Sequence, residues 1–219
     1  MVASSDISPL AGHQPDQPKA VIFDAFGTLL QIQEGRHPYR RLIKLGIEQG
    51  RRPQPGDSRR IMTNPWGLRD VAEAFGIEVP ESLMQELETD LVAEVAGVEP
   101  YTDALDAVAT LQETGMAISV CSNLAMPYAM AIKRHFPTLE AVYSFAVGTM
   151  KPEPQIYGVC CQLLAVRSGE AVMVGDSLQC DCIGPGTVGI RGHHLDRVGG
   201  QGQFSDLMQF TQHILQGMG

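Results

Sequence analysis

The chain is short of the features that mark several function classes. Basic residues are scarce: 16 Lys and Arg stand against 25 Asp and Glu, and the formal charge is −9. Phosphate contacts need clustered Lys and Arg, so this balance argues against a nucleic-acid partner. Arg51, Arg52, Arg59 and Arg60 are the local exception and read as a solvated loop. No apolar run approaches the roughly 20 residues of a membrane helix. The five cysteines form no C-x-x-C pair and are odd in number. That excludes a disulfide framework and fits a reduced, cytoplasmic setting. Cys180-Asp181-Cys182 lacks the second ligand pair of a thiolate metal site. Residues 1–18 have neither a basic start nor a long apolar run, and read as a disordered leader rather than a signal peptide.

What is present is ordinary for a soluble globular protein: 44% hydrophobic and 19% charged residues over 219 positions. Short apolar runs alternate with helical periodicity. Strands are expected at Val21–Phe23, Ala117–Cys121, Val142–Val147 and Ala171–Val174, with a fifth at Val188–Arg191. Helices are expected at Asp103–Thr114, Met126–Phe136 and Pro154–Ala165. Alternating apolar strands and helices predict an α/β fold, a doubly wound parallel sheet with helices on both faces.

Residues 31–100 break the alternation. They read as helices only: His37–Gln49, Leu68–Phe75 and Ser82–Ala96, with Pro53, Pro55 and Gly56 between the first two. About 70 residues is too long for a loop, so a small helical insertion is expected directly after the first strand. The division is then 19–30 with 101–219 as the α/β unit, and 31–100 as the insertion.

Ligands of open α/β sheets bind beyond the carboxyl ends of the strands. The polar residues there are Asp24, Gly27 and Thr28, then Ser122 and Asn123, then Lys151, then Asp176, Ser177 and Asp181. Carboxylates attract Mg²⁺, a hard cation that shares phosphate oxygens. A lysine neutralises phosphoryl oxygens, and a carboxylate can attack phosphorus. Singly, each has a plainer reading. Thr28, Ser122, Asn123 and Ser177 are common caps and turn formers, and Lys151 alone would be a surface lysine. Their joint position at successive strand ends is the signal.

Four stretches, "VIFDAFGTLL", "ISVCSN", "GTMKPEPQIY" and "VMVGDSLQCD", come in an order that resembles the haloacid dehalogenase-like hydrolases. The resemblance runs from Ala20 to about Arg197, and the insertion is similar to that family's first class of helical cap. It implies Asp24 as nucleophile and Lys151 as charge compensator. It implies Ser122, with the Asn123 backbone N–H, as holder of the transferring group. Asp24, Asp176, Asp181 and the Phe26 backbone carbonyl would ligate Mg²⁺, with Gly27 and Thr28 beside the substrate. Phosphatases of the family usually carry an acid at Phe26's position, whereas the dehalogenase branch tends to have a non-acid there. The acidic pair Asp176 and Asp181 points the other way, since that branch needs no metal. The expected function is a Mg²⁺-dependent phosphatase acting on a small anionic metabolite. A 2-haloacid dehalogenase and a catalytically weak binding protein of the same fold are the alternatives.

Arg36, Arg40 or Arg41 at the start of the insertion could grip an anionic substrate, or face solvent. Trp66 reads as insertion core. His193 and His194 follow the last expected strand; an adjacent pair makes a poor chelate, because neighbours in a strand point to opposite faces, and so the two read as structural.

Overall fold

The computed structural model describes residues 17–217. Strands β1 (Ala20–Phe23), β4 (Ala117–Ser122), β5 (Glu140–Tyr143), β6 (Ala171–Gly175) and β7 (Arg191–His194) form one parallel sheet in the order β5-β4-β1-β6-β7. β1 is central and every residue of it is fully buried. Its alternation splits the core into two layers. Val21 and Phe23 pack with α5 (Thr102–Glu113) and α10 (Leu207–Gln216); Ala20 and Ile22 pack with α8 (Pro154–Leu163). Cys160 and Cys161 lie buried in the second layer, and all five cysteines are free. No helix among the described residues is long and apolar enough to cross a membrane.

Between β1 and β4 the chain leaves through β2 (Leu30–Ile32) and returns through β3 (Val98–Pro100), which pair antiparallel. Between these two strands lie α1 (Pro38–Glu48), α2 (Asp57–Met62), α3 (Leu68–Phe75) and α4 (Glu81–Ala96). They share a core of Leu42, Ile61, Val71, Phe75, Leu87 and Leu91. Trp66 packs edge-on against Phe75, at 6.3 Å between ring centroids, as a core residue should. The helices are tied to the sheet unit by directed bonds. Arg59 forks onto Glu153 at 2.9 and 3.0 Å, and Ser144 Oγ donates to the Met62 carbonyl at 2.6 Å.

Several expectations are corrected. Helix α2 follows Pro53, Pro55 and Gly56 where only a break was expected. The four arginines are a solvated loop only in part: Arg52 is exposed there, but Arg51 forks onto Asp57 at 2.7 Å, and Arg59 and Arg60 lie on α2, with Arg60 over the Phe75 ring at 4.7 Å. The third strand ends at Tyr143, and Ser144–Val147 turns into a short helix, α7. An apolar run alone cannot tell strand from buried helix. The last strand lies at Arg191–His194 rather than Val188–Arg191, because Ile190 N turns back to the Pro185 carbonyl at 3.1 Å. The leader expected at 1–18 falls on residues outside the described ones except for Gln17 and Pro18, and Pro18 is buried.

Helix α10 had no counterpart among the expectations. Its Asp206 cap accepts from Gln209 N at 2.8 Å, and Phe210 inserts edge-on against Phe23, at 6.1 Å between centroids. Phe210 is fully buried. Phe210→Ala should therefore lower stability by about 3–5 kcal/mol. Urea denaturation should show this as a lower midpoint at unchanged slope.

Candidate active site

The strand ends carry their polar residues to one place. Asp24 N donates to the Val174 carbonyl at 2.9 Å, which extends the β1–β6 register by one residue and aims the carboxylate over the sheet edge. The chain then turns sharply, and Gly27 sits at φ +87°. A Cβ on Gly27 would lie 2.1 Å from an Asp176 oxygen, so only glycine permits that approach. Gly175 does the same for Asp181, whose oxygen would be 2.3 Å from an added Cβ. A π-helical turn at Leu178–Ile183 brings Asp181 inward, where it is fully buried. Ser177 N donates to Asp181 Oδ2 at 2.9 Å, and Ser177 Oγ caps the turn by accepting from Cys180 N at 3.2 Å. Oxygens of Asp24, Asp176 and Asp181 all lie within 4.8 Å of one another.

Lys151 is at the centre. Its ammonium donates to Asp24 Oδ1 and to Asp181 Oδ1, both at 2.6 Å, and the residue is 2% exposed. Asn123 fixes its backbone from both sides: Asn123 Oδ1 accepts from Lys151 N, and Asn123 Nδ2 donates to the Lys151 carbonyl, each at 2.8 Å. Burial by itself would favour the neutral amine. The two carboxylates outweigh it and hold the Lys151 pKa well above the ordinary lysine value. Burial raises the Asp24 pKa, and the Asp181 charge adds to this against the pull of Lys151. Asp176 is raised too, by burial and then by the nearby Asp24 charge. With all three carboxylates ionised, one ammonium leaves the cluster at a formal −2, the charge that a divalent cation cancels.

The remaining expected residues divide. Thr28 joins two strand ends, its hydroxyl accepting from Asp176 N at 3.1 Å and donating to Asp24 Oδ2 at 3.4 Å. Ser122 is buried at the end of β4. Phe26 packs edge-on to the Tyr128 ring at 5.9 Å. Arg40 lies on the insertion and lines the same cavity as Phe26 and Asn123. Arg36 and Arg41 are not free to grip a ligand, because both are paired with Asp90, and Arg41 also with Glu86. His193 packs among Phe204, Phe210 and His213, while the His194 ring nitrogen lies 3.2 Å from the Asp176 carbonyl.

A family model for haloacid dehalogenase-like hydrolases matches residues 18–186, over three quarters of the chain. The chain belongs to this family. Among similar proteins, a glyceraldehyde 3-phosphate phosphatase of Methanopyrus kandleri is 28% identical, the match covering 78% of this chain and 81% of that one. The structure of a HAD phosphatase from Thermococcus onnurineus superimposes with TM-score 0.66 at 23% identity, covering 91% of this chain and 98% of the other. A HAD family enzyme of Bacteroides thetaiotaomicron, in complex with magnesium and inorganic phosphate, does so with TM-score 0.59 at 17% identity, covering 84% and 97%. The chain is thus a hydrolase of the haloacid dehalogenase-like fold.

Two groups around this hydrolase site escaped the sequence reading. Arg197, beyond the matched span, donates from Nη2 to the Thr28 carbonyl at 2.7 Å and from Nη1 to both Asp103 oxygens at 2.9 and 3.1 Å. It therefore holds the loop after Asp24 from the far end of the chain. Glu94, on α4, accepts from Tyr128 Oη at 2.5 Å and from His37 N at 2.7 Å. Neither has a local signal, since the partners lie 94 and 34 residues away for the Arg197–Asp103 and Tyr128–Glu94 pairs.

Lys151→Met should leave Asp24 and Asp181 buried without their cation. Removing one partner of a buried ion pair costs about 3–5 kcal/mol. Asp24, whose folded pKa burial raises, binds its proton more tightly when folded. The deficit should therefore shrink as pH falls through that value and grow as pH rises. Denaturation of variant and parent across pH measures it; a pH-independent deficit would contradict the ion-pair account.

Proposed function

We propose that this hydrolase is a Mg²⁺-dependent phosphatase that cleaves a small phosphorylated metabolite through an aspartyl-phosphate on Asp24. The observation that carries this is the cluster of Asp24, Asp176 and Asp181 around buried Lys151 at the strand ends. The similarity to phosphatases supports it. The donor set is all oxygen and suits a hard cation. Asp24, Asp176, Asp181 and the Phe26 backbone carbonyl would hold Mg²⁺, which supplies charge neutralisation at the phosphoryl oxygens.

The chain's own groups divide the rest. Asp24 is the nucleophile. Lys151 holds Asp24 Oδ1 and leaves Oδ2 with one long contact from Thr28, so Oδ2 is the freer atom for attack on phosphorus. Lys151 remains charged throughout and stabilises the negative charge spread over the phosphoryl oxygens. Ser122 and the Asn123 N–H, at the end of β4, hold the transferring group. Helices α1–α4 act as a cap that closes over the site and excludes water, and Arg40 meets an anionic part of the substrate. The setting is cytoplasmic. A 2-haloacid dehalogenase is favoured by Phe26 alone. It has no use for Asp176 set against Asp24.

Asp24→Asn should abolish phosphate release and leave the fold intact, as judged by circular dichroism. Mg²⁺ should raise the melting temperature of the parent, by the equivalent of about 2.7 kcal/mol at one hundred times its dissociation constant. Asp176→Asn should lose that shift. Full activity in Asp24→Asn, or turnover of 2-chloropropionate without metal, would overturn the proposal.

Phe26 removes the usual acid that protonates the leaving group and activates water. General acid/base catalysis contributes about 10²–10⁴-fold. Phe26→Asp should therefore raise turnover of alkyl phosphate esters more than of nitrophenyl phosphate, whose leaving group needs little protonation. Equal gains for both would show that the position never lacked an acid.

A further inference from the structure

A cavity of about 680 Å³ opens between α1, α2 and the loop after β4, and its inner wall includes Phe26 and Asn123. Phe26 lies two positions from Asp24 and Asn123 next to Ser122, so this wall adjoins the strand-end residues along the chain. Ile43, Ile61, Leu124 and Tyr128 are among the remaining lining residues, and Ile32 and Ile47 are 38% and 45% exposed. Of the six polar side chains that line it, Arg40, Lys44 and Ser58 lie on α1 and α2, and the other three are already bonded. Asn123 uses its amide on the Lys151 backbone, Tyr39 donates to the Trp66 carbonyl at 3.2 Å, and Tyr128 donates to Glu94. Against the wall of Phe26, Asn123, Leu124 and Tyr128 a hydroxyl-rich substrate body would shed water and find few partners, which is unfavourable. An apolar ring would bury its surface with no such loss.

The same side chain, Phe26, both walls the cavity and takes the place of the acid. An aryl ester satisfies both facts, because a phenolic oxygen has a pKa of about 10 and leaves without a proton donor. We propose that the cavity receives the aromatic leaving group of an aryl phosphate monoester; this rests on the phosphatase reading above. Asp24 attacks phosphorus, and the phosphorus–oxygen bond to the ring breaks. Its electron pair leaves on the phenolate, which takes a proton from solvent. Water then attacks phosphorus and breaks the bond to Asp24. The carboxylate is restored, and inorganic phosphate and a proton are released.

The test compares kcat/KM for 2-naphthyl phosphate, phenyl phosphate, acetyl phosphate and glucose 6-phosphate with Mg²⁺ present. Acetyl phosphate has a good leaving group but no ring, so it separates chemistry from cavity binding. The expected order is naphthyl, then phenyl, then acetyl, with glucose 6-phosphate at least 100-fold below naphthyl. Ile43→Ser, and separately Ile47→Ser at the exposed edge, should lower the ratio of naphthyl to acetyl several-fold. Glucose 6-phosphate equal to naphthyl, or a ratio unmoved by both variants, overturns the aryl assignment and leaves the phosphatase reading standing. No phosphate released from any of the four overturns both.

Discussion

A lysine buried between two aspartates is the constraint on which the rest of the site depends. Taking three charges out of water costs several kcal/mol per ion, and only close, well-directed pairing returns it. The Lys151 ammonium lies 2.6 Å from both Asp24 and Asp181, so each carboxylate is held by the one cation that lets the other be buried. The pairing also ties β1, β6 and the segment after α7 into one unit, since Asp24, Asp181 and Lys151 come from three separate parts of the chain. Asp176, the most exposed of the three acids, brings the unmatched formal charge to −2.

The scaffold around this triad is specific about where atoms may go. Gly27 and Gly175 each leave room that a Cβ would fill with a carboxylate oxygen of Asp176 or Asp181. Asn123 holds Lys151 by its backbone, so the ammonium is aimed without spending its own donors. Arg197 holds the Thr28 carbonyl and stacks over the Tyr101 ring at 3.9 Å, where the chain re-enters the sheet unit after β3. One guanidinium thereby couples the loop that follows Asp24 to the return of the helical insertion.

On the insertion side the chemistry changes from charged to apolar. Phe26 turns its ring to Tyr128, and Tyr128 is held by Glu94 of α4. Burial, followed by that carboxylate, raises the Tyr128 pKa, so its hydroxyl stays a neutral donor. The result is a polar strand-end site and a largely apolar cavity beside it, with Phe26 in the wall of the cavity two positions from Asp24.

The sequence by itself determined the α/β class, the order of the five sheet strands, and the polar residues that the fold gathers at their ends. These are local signals: continuous apolar runs, helical spacing, and polar residues where a run stops. Leu68–Phe75 was legible to the residue. Tertiary structure decided what local signals cannot carry. Val142–Val147 reads as one apolar run, yet Ser144 leaves the strand because its hydroxyl is needed by Leu124 N and the Met62 carbonyl. Arg40 and Arg41 are neighbours of one residue type, but Asp90 and Glu86, on another helix, pair with only one of them. Lys151, taken alone, reads as a surface lysine; two carboxylates 127 and 30 residues away bury it. A side chain's charge is written in the chain, but its partner is chosen by which strand ends and helix faces the fold brings together.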